Sequence, residues 1–224
     1  MRAFRRQKGR YVARLDAGER AVVASVVADV AELLGAGRLE DGTAAGPRPG
    51  HGPGDDPGDE PGGDDALGDP GWTLRTSPVP PPQDPAVRRL LPDASRDDPE
   101  VAGEFRRLTE DDLRARKITR LRHLWSSLVH GEPGWPEHAL VVDPAAADDV
   151  AATLTDLRLV LGERLEIRTD EDSEALYDGL TEQDEDDVRA YLASVYGALS
   201  WLQESLLAVM LTAPEAPGGA REGR

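Results

Sequence analysis

The chain has no cysteine and no asparagine, and only 4% of its 224 residues are aromatic. Without cysteine there can be no disulfide framework, no thiolate nucleophile and no cysteine-ligated zinc site. Lysine occurs only at Lys8 and Lys117, so nearly all of the positive charge is carried by arginine. The lack of cysteine fits a cytosolic protein.

Long hydrophobic runs are missing as well. No stretch approaches the roughly 18 to 20 apolar residues that a membrane-spanning helix needs. The start, "MRAFRRQKGR", is basic like the first part of a signal peptide, but charged residues such as Asp16 and Asp29 interrupt the apolar run that follows. We therefore expect a cytoplasmic protein without a membrane partner.

Acidic residues dominate the charge, with 43 Asp and Glu against 26 Lys and Arg and a net charge of -17. Residues 41–70 hold fifteen Gly and Pro and eight acids against one arginine. Such a composition cannot bury enough apolar surface to offset chain entropy. We predict a disordered insertion at 41–70 and a disordered tail at 213–224. A single domain would then comprise 1–40, with a hairpin and the first helix, and the helices of 71–212.

Residues 2–15 alternate around "QKG" and predict a small β-hairpin. Tyr11, Ala13 and Leu15 fall on one side of the second strand, and Val12 and Arg14 fall on the other. A third short strand is expected near 139–142. No acid precedes Asp16, so the hairpin is strongly basic; its positive residues are Arg2, Arg5, Arg6, Lys8, Arg10 and Arg14.

Helix start signals recur along the rest of the chain. An Asp or Thr stands where an N-cap belongs, often followed by Pro at the first helical position. Three such signals in succession, each worth about 1 kcal/mol, predict three consecutive helices between 84 and 129 in place of one long helix. Gly35 and Gly162 are expected to end two helices. The predicted caps are Asp16 with Glu19, Asp84, Asp98, Thr109 with Asp112, Asp143, and Thr181 with Asp184.

Apolar residues at three-and-four spacing follow these caps. They form stripes in residues 17–34, 110–129, 144–161 and 182–211. The sequence therefore predicts a mainly α fold: a helical bundle with a small N-terminal antiparallel β-hairpin.

On the helix after Thr109, Arg116 and Arg120 fall opposite the apolar stripe, as on most surface helices. Arg114 and Lys117 fall close to the apolar side. We expect them either to extend along the apolar surface to solvent or to pair with acids from the C-terminal half.

No motif indicates catalysis. His123 and His130 are about 10 Å apart along a helix, which is too far for one metal ion without a third ligand between them. Adjacent carboxylates such as Asp148 and Asp149 face different ways on a helix, so they are poor general acid and base partners. No phosphate-binding glycine loop is present. We expect no catalytic residue, no metal and no cofactor, and a protein that is not an enzyme.

Four segments carry a family resemblance: "FRRQKGRYVARL", "RRLLPDASRDDPEVAGEFRRLTEDDLR", "TDLRLVLGERL" and "LSWLQESLL". Together they resemble an actinobacterial family of unknown function, typically encoded near the ClpS adaptor and a desampylase-like metalloprotease. Some members are described as transcriptional or oxidative-stress regulators. The resemblance implies a regulatory role but no catalytic residues. The thiol switch proposed in the family needs N-terminal cysteines, and the hairpin here has none.

The leading hypothesis is a non-enzymatic regulatory protein that binds a protein partner, such as a sigma factor or RNA polymerase. A direct DNA-binding regulator and an accessory of Clp-type proteolysis are the alternatives. Direct nucleic-acid binding is disfavoured because the net charge repels phosphate. The predicted partner surface is the part of the chain that departs from its acidic background. It comprises Arg5, Arg6, Arg10, Arg106, Arg107, Arg116 and Arg120.

Overall fold

A computed structural model describes residues 1–41, 79–95, 97–169, 171–172 and 188–212. The predicted insertion, apart from its first residue, and the predicted tail lie outside these ranges. The cap predicted at Thr181 does too.

Three strands, five α-helices and two short 3₁₀ helices have bounds within the described residues, and Glu171 and Asp172 are helical as well. The strands are β1 (Arg2–Gln7), β2 (Arg10–Arg14) and β3 (Ala139–Val142). The helices are α1 (Ala17–Leu33), α2 (Pro85–Leu90), α3 (Pro99–His130), α4 (Ala147–Arg164) and α5 (Val188–Leu211). The 3₁₀ helices are Leu39–Asp41 and Pro144–Ala146. None of these helices is long and apolar enough to cross a membrane.

The strands form one antiparallel sheet in the order β1-β2-β3. Lys8 and Gly9 connect β1 to β2 with φ values of 50° and 77°. Two positive φ values in a two-residue loop are what a tight hairpin turn requires, and glycine adopts them without strain. The predicted hairpin and the predicted third strand are both confirmed.

One apolar core joins the sheet to the helices. Val26, Leu121, Leu157 and Leu199, from four different helices, are at most 8% exposed and belong to the same buried cluster. Phe4, Tyr11 and Ala13 contribute the inner face of the sheet to that cluster. Helix α1 packs on α3, α4 packs on α5 and α2, and α5 also contacts β1. The predicted helical bundle with its N-terminal hairpin is therefore confirmed.

The predicted aspartate caps hold the helix starts. Asp16 and Glu19 form a complete capping box on α1. Asp84 accepts a hydrogen bond from the backbone N–H of Ala86 at 2.7 Å. Asp98 caps α3 in the same way, and Asp143 caps the 3₁₀ turn that leads into α4. Each satisfies backbone N–H groups that the helix leaves without a partner.

The cap predicted at Thr109 is wrong. Helix α3 runs unbroken for 32 residues, and Thr109 lies inside it. The Thr109 hydroxyl donates a hydrogen bond to the carbonyl of Phe105 at 2.9 Å. A threonine within a helix can bond backward to the preceding turn in this way. The turn before Thr109 is also held by tertiary contacts, since Arg106 is 7% exposed and donates to the carbonyl of Val79 at 2.9 Å.

The end of α4 also differs from the prediction. The helix continues past Gly162 to Arg164, and the residue with left-handed backbone is Glu166, with φ of 62°. Ile167 donates its N–H to the carbonyl of Gly162 at 2.8 Å. This bond, from the second residue past the cap, is the Schellman arrangement, which glycine usually closes. Helix α1 ends in the same way, with Gly35 at the left-handed position as predicted.

Buried charges join α3 to α4. Lys117 donates a hydrogen bond to Asp156 at 2.6 Å, and Arg120 lies 3.6 Å from the other oxygen of that carboxylate. Of the two alternatives stated for Lys117, the structure shows pairing with an acid from the C-terminal half. Arg114 instead pairs with Glu110 on its own helix and donates to the carbonyl of Leu34.

Candidate interaction surface

The outer face of the sheet, which points away from the helices, carries most of the hairpin arginines. Strand β2 places Arg10, Val12 and Arg14 on this face because alternate residues of a strand share a side. In the register of the hairpin, Arg2 is opposite Arg14 and Arg5 is opposite Val12. Residues directly opposite each other point to the same side of a sheet, so Arg2 and Arg5 lie on the outer face too.

A β-bulge produces this arrangement. Three residue steps on β1, from Arg2 to Arg5, correspond to two steps on β2, from Arg14 to Val12. In a regular strand, residues three apart point to opposite faces. The extra residue turns Arg2 and Arg5 to the same side, as bulges do where they redirect a side chain.

Arg2, Arg5 and Arg14 are all exposed. None of the three side chains forms an ion pair or a hydrogen bond with another residue of the described ranges. The like-charged pair Arg2 and Arg14 stands directly across the ladder, which is unfavourable in a sheet. The three arginines therefore form an uncompensated positive patch on a protein whose net charge is -17.

The remaining cations of the hairpin have partners. Arg10 lies 3.7 Å from Glu132 and 3.6 Å from Asp143. Arg6 donates a hydrogen bond to the hydroxyl of Tyr11 at 3.1 Å. Lys8 lies 5.3 Å from the centre of the Trp135 ring, within the range of a cation–π contact.

The arginines predicted on the first half of α3 are engaged within the fold. Arg106 is buried and pairs with Asp93 while it donates to Val79. Arg107 makes two hydrogen bonds with Glu104, at 2.6 and 2.9 Å. These bonds, together with the positive charge of Arg107, lower the pKa of the Glu104 carboxyl below its ordinary value.

The two arginines predicted further along α3 differ from each other. Arg116 is exposed and has no ion pair within the described part of the chain. Arg120 is only 16% exposed and lies between Asp149 and Asp156. The structure thus brings Arg120 into the contact between α3 and α4, away from the solvent face on which helical spacing placed it.

Arg2 and Arg14 were absent from the predicted partner surface, although the sequence marks both as hairpin cations. Alternation along β2 is a sequence signal that could have selected Arg14. No local signal could have selected Arg2, because its side depends on the bulge.

An apolar groove of about 590 Å³ lies between α1 and α5. Tyr191 and Trp201, which are 48% and 41% exposed, line it together with Val22 and Val195. Met1 also lines the groove and is the chain neighbour of Arg2. Strand β1 is tied to α5 by a hydrogen bond from the N–H of Phe4 to the hydroxyl of Ser205 at 3.2 Å.

Among the residues that the structure describes, no three His, Asp or Glu side chains are placed to hold a metal ion together. His130 instead meets the ring of Trp125 edge-on, with 5.8 Å between the ring centres.

A family model described as a domain of unknown function (DUF2017) matches residues 1–210. No curated protein and no solved structure matches the chain.

Proposed function

The chain belongs to this family of unknown function, and we propose that it is a non-enzymatic cytoplasmic regulator that acts by binding a protein partner. Transcriptional or stress regulation is the proposed setting, and a sigma factor or RNA polymerase is the proposed partner. The outer face of the sheet, with Arg2, Arg5 and Arg14, is the proposed contact surface.

The observation that carries this proposal is the uncompensated charge of that face. The chain has 43 acidic residues, yet three exposed arginines of one sheet face pair with none of the described ones. An acidic partner surface would supply the missing charges and would also be steered toward this face before contact. The acidic remainder of the protein would repel the same partner elsewhere and so select one orientation.

The groove between α1 and α5 favours a protein partner over a nucleic acid. Tyrosine and tryptophan that stay exposed in an apolar groove are the side chains that most often dominate protein–protein binding energy. Tyr191 and Trp201 have this setting. Arg106 and Arg120, in contrast, are held inside the fold and do not extend the positive patch along α3.

The proposal is tested by comparing two charge reversals, Arg5→Glu and Arg38→Glu. Both replace one positive charge with a negative one, but Arg38 lies beyond the end of α1, where it is 67% exposed and near Glu32 and Glu40. Binding to purified sigma factors and core RNA polymerase of the native host is measured by biolayer interferometry. We expect Arg5→Glu to weaken binding at least about tenfold, which is 1.4 kcal/mol, and Arg38→Glu to leave it unchanged. Equal effects of the two variants, or none, would refute the proposed surface.

The same proteins are then tested for direct DNA binding. A mobility shift that selects one sequence at physiological salt, and weakens steeply as salt rises, would replace the protein-partner proposal with the DNA-binding alternative. We expect no such shift, since the long-range field of a chain with net charge -17 repels phosphate.

A further inference from the structure

The positive patch surrounds a pocket. Its volume is about 350 Å³, and it lies on the outer face of the sheet. No acidic residue lines it; the lining residues are Arg2, Ala3, Arg5, Arg6, Gln7, Val12 and Arg14. Val12 is buried and gives the pocket an apolar floor beneath the arginines.

The pocket brings together three arginines that have no acidic partner among the described residues. Most other arginines of the same hairpin and of α3 have acidic or aromatic partners, as Arg10 and Arg107 do, whereas Arg116 is a single exposed arginine on α3. At the pocket, the bulge adds Arg5 to the side that already holds the opposed pair Arg2 and Arg14. No acidic side chain of the described residues offsets the mutual repulsion of these groups, and a bound anion would reduce it.

We infer that this pocket binds an oxyanion group of the partner, either a phosphate monoester or a pair of adjacent carboxylates. This inference rests on the proposed function, because the partner supplies the group. Guanidinium groups bind both kinds of oxyanion through paired N–H donors. A phosphate monoester carries about 1.5 to 2 negative charges at neutral pH, and two carboxylates carry a similar charge. Three uncompensated arginines match either ligand.

The test uses three labelled octapeptides of Gly and Ser that differ only at their centre. One carries phosphoserine, one carries two adjacent aspartates, and one carries unmodified serine. Binding to the full-length protein is measured by fluorescence anisotropy, with inorganic phosphate as competitor. We expect the phosphoserine or the aspartate peptide to bind at least about tenfold more tightly than the neutral peptide.

Two variants locate the binding. Arg2→Gln/Arg5→Gln/Arg14→Gln removes the charge of the pocket, and we expect it to reduce peptide binding to that of the neutral peptide. Arg38→Gln removes an exposed charge elsewhere and should leave binding unchanged. Because all three pocket arginines are exposed, the triple variant should keep its far-UV circular dichroism and its Tm. Preference for phosphoserine identifies a phosphate ligand, and preference for the aspartate pair identifies carboxylates. Both outcomes support the pocket.

Two results would overturn the inference: no charged peptide binds better than the neutral one, or the triple variant binds them as the wild type does. These results are separate from failure of the proposed function. If Arg5→Glu abolishes polymerase or sigma-factor binding but no peptide binds, the interaction surface stands and the oxyanion pocket is wrong. If the peptides bind but the Arg5→Glu variant binds the proposed partners as tightly as the wild type does, the pocket stands and the choice of partner is wrong.

Discussion

Asp156 offers the sharpest test of how the helices are held together. Its carboxylate lies between α3 and α4, where Lys117 donates to one oxygen and Arg120 lies near the other. The side chains of Asp156 and Lys117 are only 7% and 11% exposed. We consider the variant Asp156→Asn, which keeps the shape of the side chain and removes its charge.

The expected loss of stability in Asp156→Asn depends on which positive group loses its partner. Removing one partner of a buried ion pair costs about 3 to 5 kcal/mol, because the remaining charge stays buried without compensation. Arg120 keeps Asp149 at 3.9 Å, whereas Lys117 has no other acid in the described structure to replace Asp156. We therefore expect the free energy of unfolding to fall by about 3 kcal/mol. With a urea m-value of roughly 1 to 3 kcal/mol/M, the midpoint would drop by about 1 to 3 M.

The measurement is urea unfolding followed by far-UV circular dichroism. Asp149→Asn is the matched control, since it makes the same chemical change on the same helix. The Asp149 side chain is 67% exposed, so its loss should cost less than about 1 kcal/mol. In the double variant Lys117→Met/Asp156→Leu, most of the stability should return, because the buried lysine charge is removed with its partner and Arg120 keeps Asp149. A cost for Asp156→Asn no larger than that for Asp149→Asn would refute the reasoning.

Three further predictions concern helix ends. Hydrogen bonding from Arg164, with a smaller contribution from the N–H of Ala86, lowers the pKa of Asp84. A lowered carboxyl pKa stabilises the fold above the unfolded pKa of about 3.9, and this stabilisation is lost as pH falls through the folded pKa. Asp84→Asn should therefore be less stable than wild type at pH 7, and the difference should shrink as pH falls in urea titrations. Glu166→Gly should raise the free energy of unfolding by up to about 1 kcal/mol, since glycine adopts the left-handed backbone at φ of 62° without the steric strain of a side chain. A lower Tm in calorimetry would contradict this. Arg20→Ala should lower the free energy of unfolding in urea by about 1 to 3 kcal/mol, because the buried Arg20 side chain donates to the Leu128 carbonyl near the end of α3. An unchanged free energy of unfolding would show that this carbonyl finds another donor.

Local signals predicted much of the fold. A capping aspartate, a proline at the first helical position and apolar spacing lie within one or two turns of each other, so the sequence itself contains the whole interaction. The capping box of Asp16 and Glu19 and the turn at Lys8 and Gly9 were predicted for this reason and are confirmed. At Thr109 the same reasoning was wrong, because a cap worth about 1 kcal/mol competes with buried contacts such as those of Arg106 that are worth more.

The candidate surface was only partly predictable. Composition alone marked the hairpin as basic, and Arg5 of that hairpin is exposed. Helical spacing could not show that Arg106 and Arg120 would find acids across the fold. A count of positive charges does not distinguish an arginine with a buried partner from one without, since the partner is distant in sequence.

By itself, the sequence determined that this chain forms capped helices and a basic hairpin, because each of those features depends on neighbours within a few residues. Only the tertiary structure decided which cations stay uncompensated. It paired Lys117 with Asp156 across 39 positions of the chain, and through one extra residue in β1 it turned Arg2 and Arg5 to the same face. The physical reason is that an ion pair and a strand register both depend on distances between remote segments, which take their values only when the core closes.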